Sequence, residues 1–255
     1  MNHTRRELLA GISIAGAGAL LVGCRRSGKS ASSASNEENK KEEGTLENSL
    51  GQGSADVTAT EDLMREHGIL RRALLVYQES ATKLRESPAS VPPDALEKTA
   101  QLFRVFGEDY HEKKLEEAYV FPAIKKAGGP AAIYADVLTV QHARGSEITD
   151  YVLAVTAGDK IASGSIAAFI SALESFVRMY AHHAAVEDTI VFPAWKATMD
   201  DKQLDEIGGK FEDIEHEQFG DDGFDVAVKR MAEIEESLGL SNLGLYTAPP
   251  PPGRG

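Results

Sequence analysis

Tyr180-Ala181-His182-His183-Ala184-Ala185-Val186-Glu187-Asp188-Thr189-Ile190-Val191-Phe192-Pro193-Ala194 carries the reading on which the fold turns. Stepping by three and four places Phe169, Leu173, Phe176, Tyr180, His183, Glu187 and Ile190 on one stripe, the pattern of an amphipathic helix facing a core. A histidine and a carboxylate therefore occupy core positions. The segment has an echo earlier in the chain, where Leu115-Glu116-Glu117-Ala118-Tyr119-Val120-Phe121-Pro122-Ala123 repeats its Glu-acid and Phe-Pro features. Two helices of similar design imply a pseudo-repeat of helix pairs.

Outward from these segments, three further stripes emerge. Leu63, His67, Leu70, Leu74, Tyr77, Ala81 and Leu84 mark a first helix. Leu96, Ala100, Phe103, Gly107 and His111 mark the second, and Ala135, Leu138, His142, Gly145, Thr149 and Val152 the third. Breaks fall at Pro88 to Pro93, Gly128-Gly129-Pro130 and Gly158 to Gly164. No stretch alternates with period two, so the fold class is all-α. Four helices with short connections predict an up-down-up-down four-helix bundle over residues 61–200. Two shorter helical segments, around Leu204 to Phe219 and Phe224 to Leu238, make a C-terminal extension (201–240) that ends in a Pro-rich, extended tail (241–255).

The stretch before the bundle reads differently. Thr4-Arg5-Arg6-Glu7-Leu8-Leu9 and the apolar run to Leu21-Val22-Gly23-Cys24 form an export signal over residues 1–24. The Leu-Val-Gly-Cys ending resembles a lipoprotein signal, which would make Cys24 a lipidation site and membrane anchor, and Arg5-Arg6 resembles a twin-arginine signal. Residues 25–60 are Ser, Gly, Glu, Lys and Asn with few large apolar side chains, the composition of a flexible tether. A bacterial cell-envelope or periplasmic location is expected.

Composition narrows the chemistry. The chain has 255 residues, one cysteine and a formal net charge of -13. A single cysteine excludes an internal disulfide and any cysteine-built metal cluster, so a metal must use His, Asp and Glu. Strong acidity argues against a nucleic-acid partner.

One histidine in an apolar stripe is usually a satisfied core residue, but four in one core, with inward carboxylates and no neighbouring cation, call for a metal. Imidazole and carboxylate donors suit iron, manganese or zinc. His183 and Glu187, four apart, lie on one helix face and can reach one ion. His111 and Glu116 are five apart, about 140° around a straight helix, so either the long glutamate reaches round or a one-residue π-bulge returns both to one face. The bulge is favoured because the seam resumes at Glu116, Val120 and Ala123. Glu112, one turn before Glu116, could also ligate, but beside Lys113 the solvent-facing reading is preferred; His182 is read at a helix interface or behind the site, although the pseudo-repeat aligns it, rather than His183, with His111; and His216 is read as exposed or capping, with contact to the site as the alternative. Tyr77, Tyr110 and Tyr180 are expected in the core. The third helix offers Ser146 four residues after His142, with Glu147 reachable only at a stretch, and this leaves a coordination position open.

This constellation resembles the hemerythrin-like, or HHE cation-binding, family from roughly Asp62 to Thr198. The resemblance implies two non-haem iron ions bridged by Glu116 and Glu187, with terminal imidazoles from His67, His111, His142 and His183. It also implies a small ligand such as oxygen or peroxide, bound or sensed reversibly. A di-iron enzyme that consumes an oxidant, or an iron-handling protein, are the alternatives. Two departures stand: the extra residue between His111 and Glu116, and Ser146 where the oxygen-carrying branch has a second histidine.

Overall fold

The computed structural model describes residues 57–220 and 222–253; the export signal, Cys24 and nearly all of the tether lie outside them. Among the described residues every regular element is helical. Helix α1 is Ala59–Glu86, opened by a capping box in which the Thr58 side chain accepts from the Glu61 amide and the Glu61 carboxylate reaches back. A short 3₁₀ turn, Pro88–Ser90, leads to α2, residues 93–127. Helix α2 is α-helical over Pro93–Leu102, π-helical over Phe103–Val120 and α-helical again over Phe121–Ala127. It ends where Gly128 and Gly129 take φ of 74° and 81°, a left-handed region that glycine enters without a Cβ penalty.

Helix α3 is Tyr134–Thr156. Helix α4, residues 166–196, is α-helical over Ile166–Val186, π-helical over Glu187–Val191 and closes with Phe192–Lys196. The four pack as a ring, α1 against α2 and α4, and α3 against α2 and α4. Every seam position named from the sequence in α1, in α3 and, as far as His111, in α2 is buried, as are those of α4 through Glu187. Phe103, Phe176 and Tyr180 form a cluster of edge-on and tilted rings just beyond the histidines, with Tyr77 against Phe176. Such aromatic pairs each add about 0.5–1.5 kcal/mol to their area burial.

Helices α5 (Asp201–Phe219) and α6 (Gly223–Ser237) pack along α1 and α2. Trp195 stacks on Phe211, Phe219 meets Phe106 and Tyr110, and Arg72 grips Glu235 through two hydrogen bonds of 2.8 and 2.6 Å. After a 3₁₀ turn at Leu243–Tyr246, residues 247–253 have no regular structure and are exposed. No helix among the described residues is long and apolar enough to cross a membrane.

The π segments revise two expectations. In α2 the widening extends over Phe103–Val120 instead of a single residue. In α4, expected to be regular, a π turn follows the His183–Glu187 pair and moves the seam by one, so Val191 is buried and Ile190 only partly so. Both segments end alike. The amide of Phe121 donates to the Glu116 carbonyl and that of Phe192 to the Glu187 carbonyl, each five residues back. The next residue, Pro122 or Pro193, has no N–H to give, which frees the turn from α-helical register.

Candidate metal centre

Each long helix brings one histidine to the middle of the bundle: His67 from α1, His111 from α2, His142 from α3 and His183 from α4. Glu116 and Glu187 enter from α2 and α4, both 0% exposed. The structure thus places together all six residues picked out from the sequence. Glu116 Oε1 stands 3.2 Å from His111 Nε2 and 3.9 Å from His67 Nε2, while its Oε2 is 3.3 Å from His142 Nε2. Glu187 Oε2 lies 3.0 Å from His183 Nε2 and 3.5 Å from His67 Nε2.

The donors fall into two overlapping groups. Glu116, His142, His183 and Glu187 make one; His67, His111 and Glu116 make the other. Glu116 belongs to both, so the geometry offers two cation positions joined by a carboxylate. Both oxygens of Glu116, both of Glu187 and His111 Nε2 are buried without a hydrogen-bond partner. A buried carboxylate left in that state costs several kcal/mol or more, so the donor set fits bound cations. His142 Nε2 and His183 Nε2 approach to 3.2 Å, two ring nitrogens aimed at one point.

The outer ring nitrogens explain the aim. His67 Nδ1 donates to Asp188 at 2.7 Å, His111 Nδ1 to Glu66 at 2.7 Å, His142 Nδ1 to Glu117 at 2.8 Å and His183 Nδ1 to Gln141 Oε1 at 2.9 Å. An acceptor at Nδ1 keeps the proton there and leaves the Nε2 lone pair for a cation. Arg71 pairs with Asp188, and Tyr110 donates to Glu66 at 3.1 Å, so these acceptors are themselves held. None of the four acceptors stands out in a helical stripe. The available signal is adjacency: Glu117 and Asp188 each follow a core glutamate, and Glu66 and Gln141 each precede a core histidine.

Without cations, protons compensate the charges. Burial pushes Glu116 up, but the neighbouring His111 and His142 outweigh this and hold it well below the usual carboxylate range. Burial and the Glu116 charge push Glu187 well above that range. Burial disfavours a charged His142, yet Glu112, Glu116 and Glu117 raise it to about 11. Burial and the charge on His142 push His183 down to about 4.

Three remaining candidates resolve differently. Glu112, expected at the surface, is 2% exposed and accepts a 2.8 Å hydrogen bond from the Tyr180 hydroxyl. The cause is the π-helical path, whose wider turn admits Glu112 to the inner face along with His111 and Glu116. His182, expected at an interface or behind the site, is exposed, and so is His216. Ser146 accepts from Arg104 at 2.8 Å, and Glu147 pairs with Arg144 on the surface.

Comparison with known proteins agrees with this centre. The model of the hemerythrin HHE cation-binding domain matches residues 58–195. Proteins of uncharacterised function from Mycobacterium bovis and Mycobacterium tuberculosis are each 45% identical over 195 residues, covering 75% of this chain and 74% of theirs. No solved structure gives a significant match. With more than half its length matched and its buried histidines and glutamates gathered between four helices, the chain belongs to the hemerythrin HHE cation-binding domain family.

Proposed function

We propose that this protein is a non-haem di-iron protein, holding its ions through His67, His111, His142, His183, Glu116 and Glu187, that binds or senses oxygen or a related small ligand. The observation that carries it is the pair of donor groups sharing Glu116. Inward glutamates and histidines on facing helices are the donors that helix-bundle cores use for paired ions, and Glu116 is common to both groups here. Bound ferrous ions would supply electrons and an open coordination position. The chain's own part is to fix four imidazoles by their Nδ1 hydrogen bonds, to shut the donors away from bulk water and to leave α3 with a single ligand.

The test is metal content per chain on protein purified without added metal, followed by exposure of the reduced protein to oxygen. Two irons per chain and an absorption band that reverses on degassing support the reading. Zinc, or no metal, overturns it. We also propose that the bundle is carried at the cell envelope by a lipid on Cys24, which detergent phase partition of the wild-type chain and a Cys24→Ser variant tests.

A further inference from the structure

The C-terminal extension forms an apolar groove that the metal centre does not use. It lies between α1 and the 3₁₀ turn Leu243–Tyr246, encloses about 380 Å³ and is walled by Leu75, Val76, Leu240, Leu243 and Tyr246. Leu75 is 56%, Leu243 82% and Tyr246 46% exposed, so three large apolar side chains meet water around one depression. Contiguous apolar surface of this kind marks a site of association. The wall is held in place. Arg72 grips Glu235 beside the groove, Lys83 donates to the Leu238 carbonyl at 2.7 Å, and Asn242 Oδ1 accepts from the Gly244 amide at 3.0 Å.

The chain itself carries a segment of matching chemistry. Directly after Tyr246 come Thr247-Ala248-Pro249-Pro250-Pro251-Pro252-Gly253-Arg254. Thr247 has φ -67° and ψ 119°, already close to the polyproline II conformation. Four successive prolines keep to that path, because each fixes its own φ and restricts the residue before it. A polyproline II helix is ordered before it binds, so it enters a groove lined by aromatic and aliphatic side chains at little entropic cost. The charges match as well. Arg254 is the one charged side chain from residue 238 to residue 255, and of the two carboxylates at the groove Arg72 takes Glu235 and leaves Glu79.

The groove is not filled by the run that adjoins it. Residues 247–253 are all exposed, and at about 3.1 Å per residue a polyproline II path carries the chain about 19 Å from Tyr246 by Pro252. A second copy can supply the run instead. The exchange is reciprocal, since each tail leaves from a wall of the groove that receives the other, and this suits a two-fold axis.

We propose that the groove is an interface between two copies of this chain, each seating the other's Pro249–Pro252 run against Leu75 and Tyr246, with each Glu79 meeting the other copy's Arg254. The assignment is independent of what the metal centre binds.

The experiment uses the full-length chain with Cys24→Ser throughout, which removes the expected lipid site and the only cysteine. Sedimentation of this parent should give the mass of a dimer. A chain lacking residues 248–255 and a Leu75→Glu chain should each give half that mass. Leu75 and residues 248–253 are exposed, so neither change removes packing, and both melting temperatures should match the parent. Mixing a Glu79→Cys chain with an Arg254→Cys chain should yield a disulfide between copies on mild oxidation, and adding Leu75→Glu to the first chain should abolish it. A monomeric parent overturns the proposal, as does a dimer that survives loss of the tail, which places the contact on another surface. A chain carrying both Glu79→Cys and Arg254→Cys that closes the disulfide within itself also overturns it, because the occupant is then its own tail.

Discussion

Glu66 accepts from His111 Nδ1 at 2.7 Å, and it is the residue immediately before His67. The same device recurs on the other helix pair, where Gln141, immediately before His142, accepts from His183 Nδ1 at 2.9 Å. Glu117 and Asp188, each following a core glutamate, serve His142 and His67. The four helices are thereby cross-tied two by two through the backs of their histidines. Removing a tie should free the ring to turn and admit the wrong tautomer. Glu66→Ala and Asp188→Ala should each weaken metal binding by roughly 10–100-fold, measured by chelator competition. Arg71→Ala, which removes only the surface partner of Asp188, should cost less. Unchanged affinity in Glu66→Ala would show that the tie does not set the ligand.

The metal-free protein should have a stability maximum near neutral pH. His142 is raised to about 11, with burial opposed and outweighed by Glu112, Glu116 and Glu117. Its contribution is complete below the ordinary histidine value of 6.5 and is lost as pH rises toward 11. His183 is lowered to about 4 by burial and by His142, so its contribution is present above 6.5 and is lost as pH falls toward 4. Thermal melts in chelator should therefore peak near the histidine range and decline on both sides. Bound metal should flatten the alkaline limb, since the ions replace the proton on His142. A melting temperature of the metal-free chain that climbs steadily through the alkaline limb contradicts this account.

The helices and their inner faces were legible because a stripe of three and four is a local property. His67, His142 and His183 follow from it directly. The Nδ1 acceptors were hidden because each lies on a different helix from its histidine, and no spacing within one helix reports a contact across two. Glu112 was misplaced for another reason. Its apparent face assumed 3.6 residues per turn, and the π-helical path of Phe103–Val120 changes that count. The five-residue interval from His111 to Glu116 did point to an extra residue, but not to how far the widening spreads. The π turn after Glu187 left no such mark, since His183 and Glu187 keep the ordinary interval and only the shift from Ile190 to Val191 reveals it.

The extra residue in α2 should be removable. Lys113 is exposed and, among the described residues, pairs with Asp109 at 2.8 Å, one turn back. Deleting it returns His111 and Glu116 to a four-residue interval that an ordinary α-helix satisfies, while Val120 and Phe121 keep their places in the seam. The shortened chain should fold, with its melting temperature within a few degrees of wild type, and still bind metal through both residues. Deleting the equally exposed Ala185 should instead leave His183 and Glu187 three apart above a π turn already in use, and should abolish metal retention. Equal loss from both deletions would show that the wide turn of α2 is required in itself.

Gly145 supplies the tightest steric test. A Cβ there would stand 2.0 Å from the Tyr180 hydroxyl oxygen and 2.7 Å from the ring carbon that bears it. Both residues are buried, so neither can yield by swinging into solvent. Gly145→Ala should therefore destabilise the fold by about 1–3 kcal/mol, the usual cost of overpacking, in denaturant unfolding. It should also break the hydrogen bond from Tyr180 to Glu112 by displacing the ring. Adding Tyr180→Phe removes the closest atom but leaves the ring carbon, so the double variant should recover only part of the loss. Full recovery would place the clash entirely in the hydroxyl. Wild-type stability in Gly145→Ala alone would mean that the ring has room to move, and Tyr180 would then no longer be a fixed support for Glu112.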